Sequence, residues 1–308
     1  MPWMGRTPMI RIGTRGSPLA LVQARTVADM LAAARPECTC EIVTITTEGD
    51  RKLKTALWEI GGKGLFVQEI ETALNERRID LAVHSMKDMP QEIARGLAVG
   101  AVPKREDVRD VLVTRAPVSD IGMIPTGVVV GTSSLRRRAQ ILRARPDLAV
   151  TSLRGNVGTR MKKLEDNEYG AVVLAAAGIA RLGIEARHAL FLSPEDFVPA
   201  AGQGALALEV RRGEEELVAD LDDADTSRAV FCERAFGERL GASCRSAVGA
   251  WARVDGRRLT LVGKVLSPGG ERAIEGERTG TLRDGYEIGS ALADDFLGRG
   301  ARALLEDG

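Results

Sequence analysis

Aromatic side chains are scarce in this chain of 308 residues: 3 Trp, 2 Tyr and 6 Phe make up 4%. A surface that reads single-stranded nucleic acid stacks bases on aromatic rings, so such a surface is not favoured here. Net charge points the same way, because 43 Lys+Arg are matched by 43 Asp+Glu and nucleic-acid binders carry a basic excess. Cysteine is also short. Four cysteines in so long a chain do not make a disulfide framework. Cys38 and Cys40 lie two apart on one strand face, and only His84 and His188 exist to complete a metal site with them, so strand packing is expected and metal is not. No stretch approaches a membrane span, and the opening MPWMGRTPMIRIG lacks the apolar core of a signal peptide. The expectation is a cytoplasmic, soluble chain with no membrane or nucleic-acid partner.

Positive charge is present, but concentrated. Residues 131–160 hold seven arginines (Arg136, Arg137, Arg138, Arg143, Arg145, Arg154, Arg160) against one acid, Asp147. Residues 213–240 hold nine acids and three arginines, which roughly offsets them elsewhere. At both ends of the basic stretch an apolar β-branched run stops at small polar residues and a helical pattern follows. Such a strand-to-helix turn aims backbone N–H groups and a positive helix end at a ligand above the sheet edge. Arginine forks suit carboxylate or phosphate oxygens. A ligand with several negative groups is implied, while Arg143 and Arg145 read equally well as a solvated face.

The same form recurs along the chain. After a strand at 9–13, Arg15 lies in a strand–helix turn, with Ser17 placed as N-cap and Pro18 at the first helical position. The helix face is expected at Leu19, Val22, Val27, Met30, Leu31 and Ala34, ending before Pro36. A glycine turn around Lys63 lacks the Walker A spacing and leads into a helix with Phe66, Ile70, Ala73 and Leu74 inward. IDLAVHSMKDMP is a buried strand ending at Lys87 and Asp88, where an open α/β sheet keeps its binding groups. His84, inside the apolar run, reads as a hydrogen-bonded core residue. Three more strand-turn-helix units follow, at VVVGTSSLRRR, LAVTSLRGNVGTR and AVVLAAAGIARLG, the last carrying Arg181. A glycine-rich turn around Gln203 then precedes a strand able to return to the first sheet, which would give two domains joined by two crossings and able to hinge around a ligand. From about 219 a charged helix leads to strands near 247–254, 258–266 and 271–279 and a closing helix over 287–305. Cys244 sits in a loop of small residues beside Arg245, where either a reactive thiol or an inert buried one is compatible with the sequence.

The fold class expected is α/β: two domains of the two-lobed receptor kind plus a small C-terminal α+β domain. The expected divisions are 1–103 with 200–218, then 104–199, then 219–308.

Taken together, TRGSPLALVQA, GGKGLFVQE, AVHSMKDMP, GTSSLRRR, LRGNVGTR, AAAGIARLG and PAAGQGA resemble, in order, the motifs of the porphobilinogen deaminase (hydroxymethylbilane synthase) family over roughly residues 11 to 210. The resemblance implies periplasmic-receptor-like lobes and a transferase of tetrapyrrole and heme biosynthesis. Such an enzyme joins four porphobilinogen molecules head to tail, releases ammonia each time, and hydrolyses the product to hydroxymethylbilane. It implies a dipyrromethane cofactor held by a thioether, here at Cys244, and a monomer whose partner is the small-molecule substrate. By the same resemblance Asp88 is the catalytic carboxylate. Lys87, Ser134, Arg136 and Arg137 hold cofactor carboxylates, with Thr132 and Ser133 beside them. Arg15, Ser17, Lys63, Phe66, Arg154, Asn156, Arg160, Arg181 and Gln203 lie on the substrate side, no metal is used, and Arg138 is surface. The cysteine loop departs from the family pattern: Ala247 stands where a proline is usual. Glu59 likewise replaces a lysine found in some members. A divergent two-lobed receptor for carboxylate-rich ligands is the alternative, though it gives Cys244 and Asp88 no use.

Overall fold

The computed structural model describes residues 9–47, 67–243 and 246–306. The chain divides into two compact units, one of residues 1–105 with 205–227 and the other of 106–204 with 228–308.

In the first unit, β1 (Met9–Arg15) pairs in parallel with β2 (Thr39–Ile45) and β3 (Leu81–Ser85). β10 (Leu206–Arg211) enters antiparallel between β3 and β4 (Leu97–Ala101), completing the order β2-β1-β3-β10-β4. The strand after Gln203 does return to the first sheet. Helix α1 (Pro18–Ala34) covers one face, where Ala24, Val27 and Leu31 pack on Ile12, Leu81, Val83 and Leu208. Helix α2 (Gln68–Asn75) covers the other, with Ile70, Ala73 and Leu74 against Ala82 and Leu97. Full burial of each such aliphatic side chain contributes about 1.5–3 kcal/mol. The inward stripe of α1 differs from the expected one. Gln23, Ala24, Val27 and Leu31 are its buried residues, because the Gln23 amide donates to Ser85 Oγ at 2.9 Å and so turns that edge of the helix to the sheet.

In the second unit β6 (Val129–Gly131), β7 (Ala149–Thr151) and β8 (Ala171–Ala175) run parallel, and β5 (Asp110–Thr114) lies antiparallel between β8 and β9 (Ala189–Phe191). The order β7-β6-β8-β5-β9 repeats the plan of the first sheet: three parallel strands, one strand running against them, one edge. Helices α3 (Leu135–Ala144), α4 (Val157–Glu165) and α5 (Ala176–Arg181) follow the three parallel strands. The same unit carries an antiparallel sheet of β11 (Val248–Asp255), β12 (Arg258–Leu266) and β13 (Ala273–Thr281). It packs with α6 (Ala224–Leu240), α7 (Gly285–Gly298) and α8 (Ala301–Glu306) around Phe236 and Phe296, whose rings meet edge to face at 5.3 Å. The closing helix expected over 287–305 is therefore two helices. Gly300 at φ 91° ends the first, a left-handed position that glycine occupies without a Cβ clash.

Candidate active site

In the first unit the site begins at two strand ends. Ser17 caps α1, its hydroxyl accepting from Ala20 N–H at 3.3 Å, and Pro18 opens the helix without an N–H to satisfy. This fixes Arg15, the last residue of β1, beside the N-terminus of α1. One strand over, β3 ends at Ser85 and a 3-10 turn, Met86–Asp88, projects Asp88 into solvent while Lys87 is half-buried. Arg15, Ser17, Gln23, His84, Ser85 and Asp88 line one pocket. It joins a guanidinium, a helix N-terminus and an exposed carboxylate. His84 is buried and hydrogen-bonded as expected, its Nε2 lying 3.0 Å from Glu209 Oε2.

In the second unit, the turns after β6 and β7 are tied together. Thr132 N–H donates to Thr151 O at 2.9 Å, and the Ser133 hydroxyl donates to Leu153 O. Ser134 caps α3, accepting from Arg137 N–H at 3.4 Å, and Asn156 caps α4, accepting from Thr159 N–H at 2.9 Å. Capping of this kind contributes about 1 kcal/mol per helix. Arg136 and Arg137, on the first turn of α3, point inward and are 4% and 7% exposed. Arg136 donates to Asp110 Oδ2 at 2.7 Å and to Val198 O at 2.8 Å. Arg137 donates twice to Asp110 Oδ1, at 2.8 and 3.0 Å, and to Val173 O at 3.0 Å. Gln203 adds a donor to Asp110 Oδ1 at 2.9 Å and another to Val108 O at 2.8 Å. Burial alone would raise the Asp110 carboxyl, but the charges and hydrogen bonds of Arg136 and Arg137 outweigh it and hold it well below the usual range. Burial in turn lowers Arg136 from the ordinary arginine value.

Two guanidiniums share this one carboxylate, so one positive charge is left over in a buried cluster. That surplus suits the carboxylates of a dipyrromethane, and the residues present therefore fit such a group. Asp110 and its part in the cluster were not visible in the sequence. Nothing near residue 110 signals that the acid will be buried against arginines 26 and 27 positions away.

The remaining expected residues are distributed around the same unit. Arg154 and Arg160 are half-buried, and Arg160 Nε donates to Gly155 O at 2.8 Å. Arg181 donates to Gly204 O at 2.7 Å, and burial lowers its pKa. Gly204 has φ +88°, and a Cβ there would lie 2.5 Å from Glu106 O, so the turn after Gln203 admits glycine alone. Arg138 is exposed, whereas Arg145 is engaged by Asp147 and by Ile121 O. Lys63, Phe66, Glu59 and Cys244 lie outside the described residues. Of the other cysteines, Cys38 and Cys40 have thiols raised by burial, and burial pushes the fully enclosed Cys232 up to about 12. None of those three is a thiolate at neutral pH. Among the described residues there is no group of three or more His, Cys, Asp and Glu placed to hold a metal, and no helix long and apolar enough to cross a membrane.

Comparison with known proteins gives a specific result. The chain is similar to a probable amino-acid ABC transporter extracellular-binding protein, ytmK of Bacillus subtilis, with TM-score 0.41 and 10% identity over 70% of this chain and 90% of that one. It is also similar to the periplasmic aliphatic sulphonate binding protein SsuA of Escherichia coli, with TM-score 0.38 and 17% identity over 77% and 75%. Over sequence the match is far closer. A porphobilinogen deaminase of Alkaliphilus metalliredigens (strain QYMF) is 46% identical over 300 residues, covering 96% of this chain and 95% of that protein. The family model for the porphobilinogen deaminase dipyromethane cofactor binding domain matches residues 10–219, and that for the porphobilinogen deaminase C-terminal domain matches 227–298. With both family models placed end to end and a relative aligned along nearly its whole length, the chain belongs to the porphobilinogen deaminase family.

Proposed function

We infer that the deaminase activity of this family, a transferase step of tetrapyrrole biosynthesis, is carried in this chain by Asp88. The observation behind this reading is the exposed Asp88 carboxylate in one pocket with Arg15 and the Ser17 cap of α1. Porphobilinogen carries an acetate and a propionate, which a guanidinium and helix N–H groups bind. When its aminomethyl C–N bond breaks, the electron pair leaves with nitrogen, which departs protonated as ammonia. The carbon left behind is a methylene pyrrole whose ring nitrogen bears the positive charge. A carboxylate against that N–H stabilises the charge as it develops and can take up the proton lost when the next carbon–carbon bond closes. Bound dipyrromethane supplies the pyrrole carbon at which the first bond forms. Lys87, Thr132, Ser133, Ser134, Arg136 and Arg137 would hold its carboxylates, supported by the unbalanced charge around Asp110. Arg154, Asn156, Arg160, Arg181, Gln203, Lys63 and Phe66 are read as serving the incoming substrate. Attachment is assigned to Cys244, the cysteine at the position where the family resemblance places the cofactor thioether, while Cys232 is fully buried.

The same reading takes the chain as a cytoplasmic monomer divided at 1–103 with 200–218, 104–199 and 219–308. Its test is direct. Intact-protein mass of the wild type should exceed the sequence mass by two linked pyrrole units, and Cys244→Ser should lack the excess. Asp88→Asn should keep the mass excess and the fold while nearly abolishing ammonia release from porphobilinogen. Ordinary release by Asp88→Asn would remove Asp88 from the chemistry, and a pyrrole-bearing Cys244→Ser would move the attachment site.

A further inference from the structure

The turn that carries Asp88 is anchored from three sides, and one anchor is more costly than folding requires. The backbone of Met86 donates to Ala205 O at 3.0 Å, beside β10. On the α1 face, Ser85 Oγ is hydrogen-bonded to Gln23 at 2.9 Å. Side chains alternate along a strand, so His84 lies on the opposite face with Ala82, whose neighbours are Ile70, Ala73 and Leu74 of α2. There Nε2 of His84, 6% exposed, meets Oε2 of Glu209, which is 0% exposed, at 3.0 Å. Glu209 belongs to β10, two residues beyond Ala207, the register partner of His84, so the contact is a diagonal cross-strand pair.

Glu209 Oε1 is buried with no hydrogen-bond partner among the described residues. A buried carboxylate with half its acceptors unmet is destabilising relative to a well-packed apolar pair. A second acid, Glu71 of α2, shares this environment: burial first and the Glu209 charge second raise its carboxyl, and His84 acts the other way. Stability alone does not account for a buried histidine–glutamate pair under α2 with a half-buried acid of the helix beside it. Their location does, since His84 is also part of the pocket wall that includes Asp88.

We propose that His84 and Glu209 are positioning residues for the deaminase reaction, with Glu209 orienting the His84 ring and the ring holding the end of β3 so that the Met86–Asp88 turn presents its carboxylate at a fixed place in the pocket. The proposal rests on Asp88 as the reacting carboxylate. Displacement of such a group by about 1 Å can lower turnover by up to about a hundredfold. Because the pair acts on Asp88 and not on substrate affinity, its loss falls on kcat and leaves KM.

The experiment compares four variants of the cofactor-bearing enzyme, each checked by intact mass and by Tm. His84→Leu/Glu209→Leu replaces the pair by apolar groups, a change that is often neutral for stability. It should keep or raise Tm, keep the mass excess, lower kcat by about tenfold or more, and leave KM within about twofold. Glu209→Gln retains an acceptor for Nε2–H and should recover kcat to within about threefold of wild type. Glu209→Leu alone should match the double variant in kcat, because both remove the same device. Ordinary kcat in a folded, loaded double variant would overturn the proposal. If the double variant does not fold, Glu209→Gln decides against His84→Gln, which retains a donor to Glu209: equal, wild-type kcat in both supports hydrogen-bond positioning, and loss of kcat in both with unchanged KM in folded, cofactor-bearing protein overturns it in favour of a requirement for the ionic pair itself. Asp88→Asn is the separate reference, since ordinary turnover there defeats the Asp88 reading whatever the pair does.

Discussion

The two five-stranded sheets share a strand order, and each buries one acid on the strand that runs against its neighbours: Glu209 on β10 and Asp110 on β5. Their environments differ. Asp110 takes hydrogen bonds from Arg136, Arg137 and Gln203 on both oxygens, so its charge is more than neutralised. Glu209 meets one histidine and leaves one oxygen unmet among the described residues. A carboxylate enclosed by two guanidiniums organises a rigid, net-positive wall. One held by a single imidazole organises a strand end. The antiparallel strand of each sheet thus buries an acid, opposite Ala175 at the end of β8 in one sheet and opposite Ala82 near the start of β3 in the other.

Four measurements sharpen or break that contrast. The largest effect is expected from Asp110→Asn, which leaves two buried guanidiniums without their counter-charge; it should lower unfolding free energy by about 3–5 kcal/mol in urea denaturation. A loss no larger than for a surface residue would mean the cluster is hydrated. Next is pH. The folded carboxyl of Asp110 lies below its unfolded value, so its contribution is present above about pH 4 and is lost as pH falls toward the folded value. Wild-type Tm should therefore drop steeply on acidification below about pH 4, and a Gln203→Ala variant, lacking one Asp110 donor, should drop earlier. A third and smaller change is expected for Glu209→Gln, about 1 kcal/mol in stability; a loss equal to that of Asp110→Asn would erase the distinction drawn here. Smallest is Asp147→Ala, an exposed carboxylate paired with the half-buried Arg145, for which turnover should stay at the wild-type value and stability should fall by no more than the small amount a surface ion pair contributes.

Much of the first sheet's pocket was legible locally. Ser17–Pro18 announces the start of α1 and Asp88 sits where a buried run meets a proline, both within a few residues of sequence. The arginine turns were legible for the same reason, since Ser134 and Asn156 cap the helices that follow them. Gln23, Asp110 and Glu209 were not. Gln23 occupies a polar position on an otherwise ordinary helix and is buried only because Ser85, 62 residues away, faces it. His84 and Glu209 are 125 residues apart, and Asp110 and Gln203 are 93. Periodicity reports which face of an element is apolar, but it carries no information on which polar group lies opposite.

Sequence by itself therefore determined the class of the protein. The concentration of arginine in 131–160 points to a ligand with several negative groups, the scarcity of aromatics and the balanced charge point away from nucleic acid, and the motif order resembles the porphobilinogen deaminase family. Only the tertiary structure decided what the buried charges do. Whether Arg136 and Arg137 face solvent or share Asp110, and whether His84 is core filler or one half of a pair, depends on strands brought together across a hundred residues. The strength of those pairs is set by burial, which arises only when the sheets close.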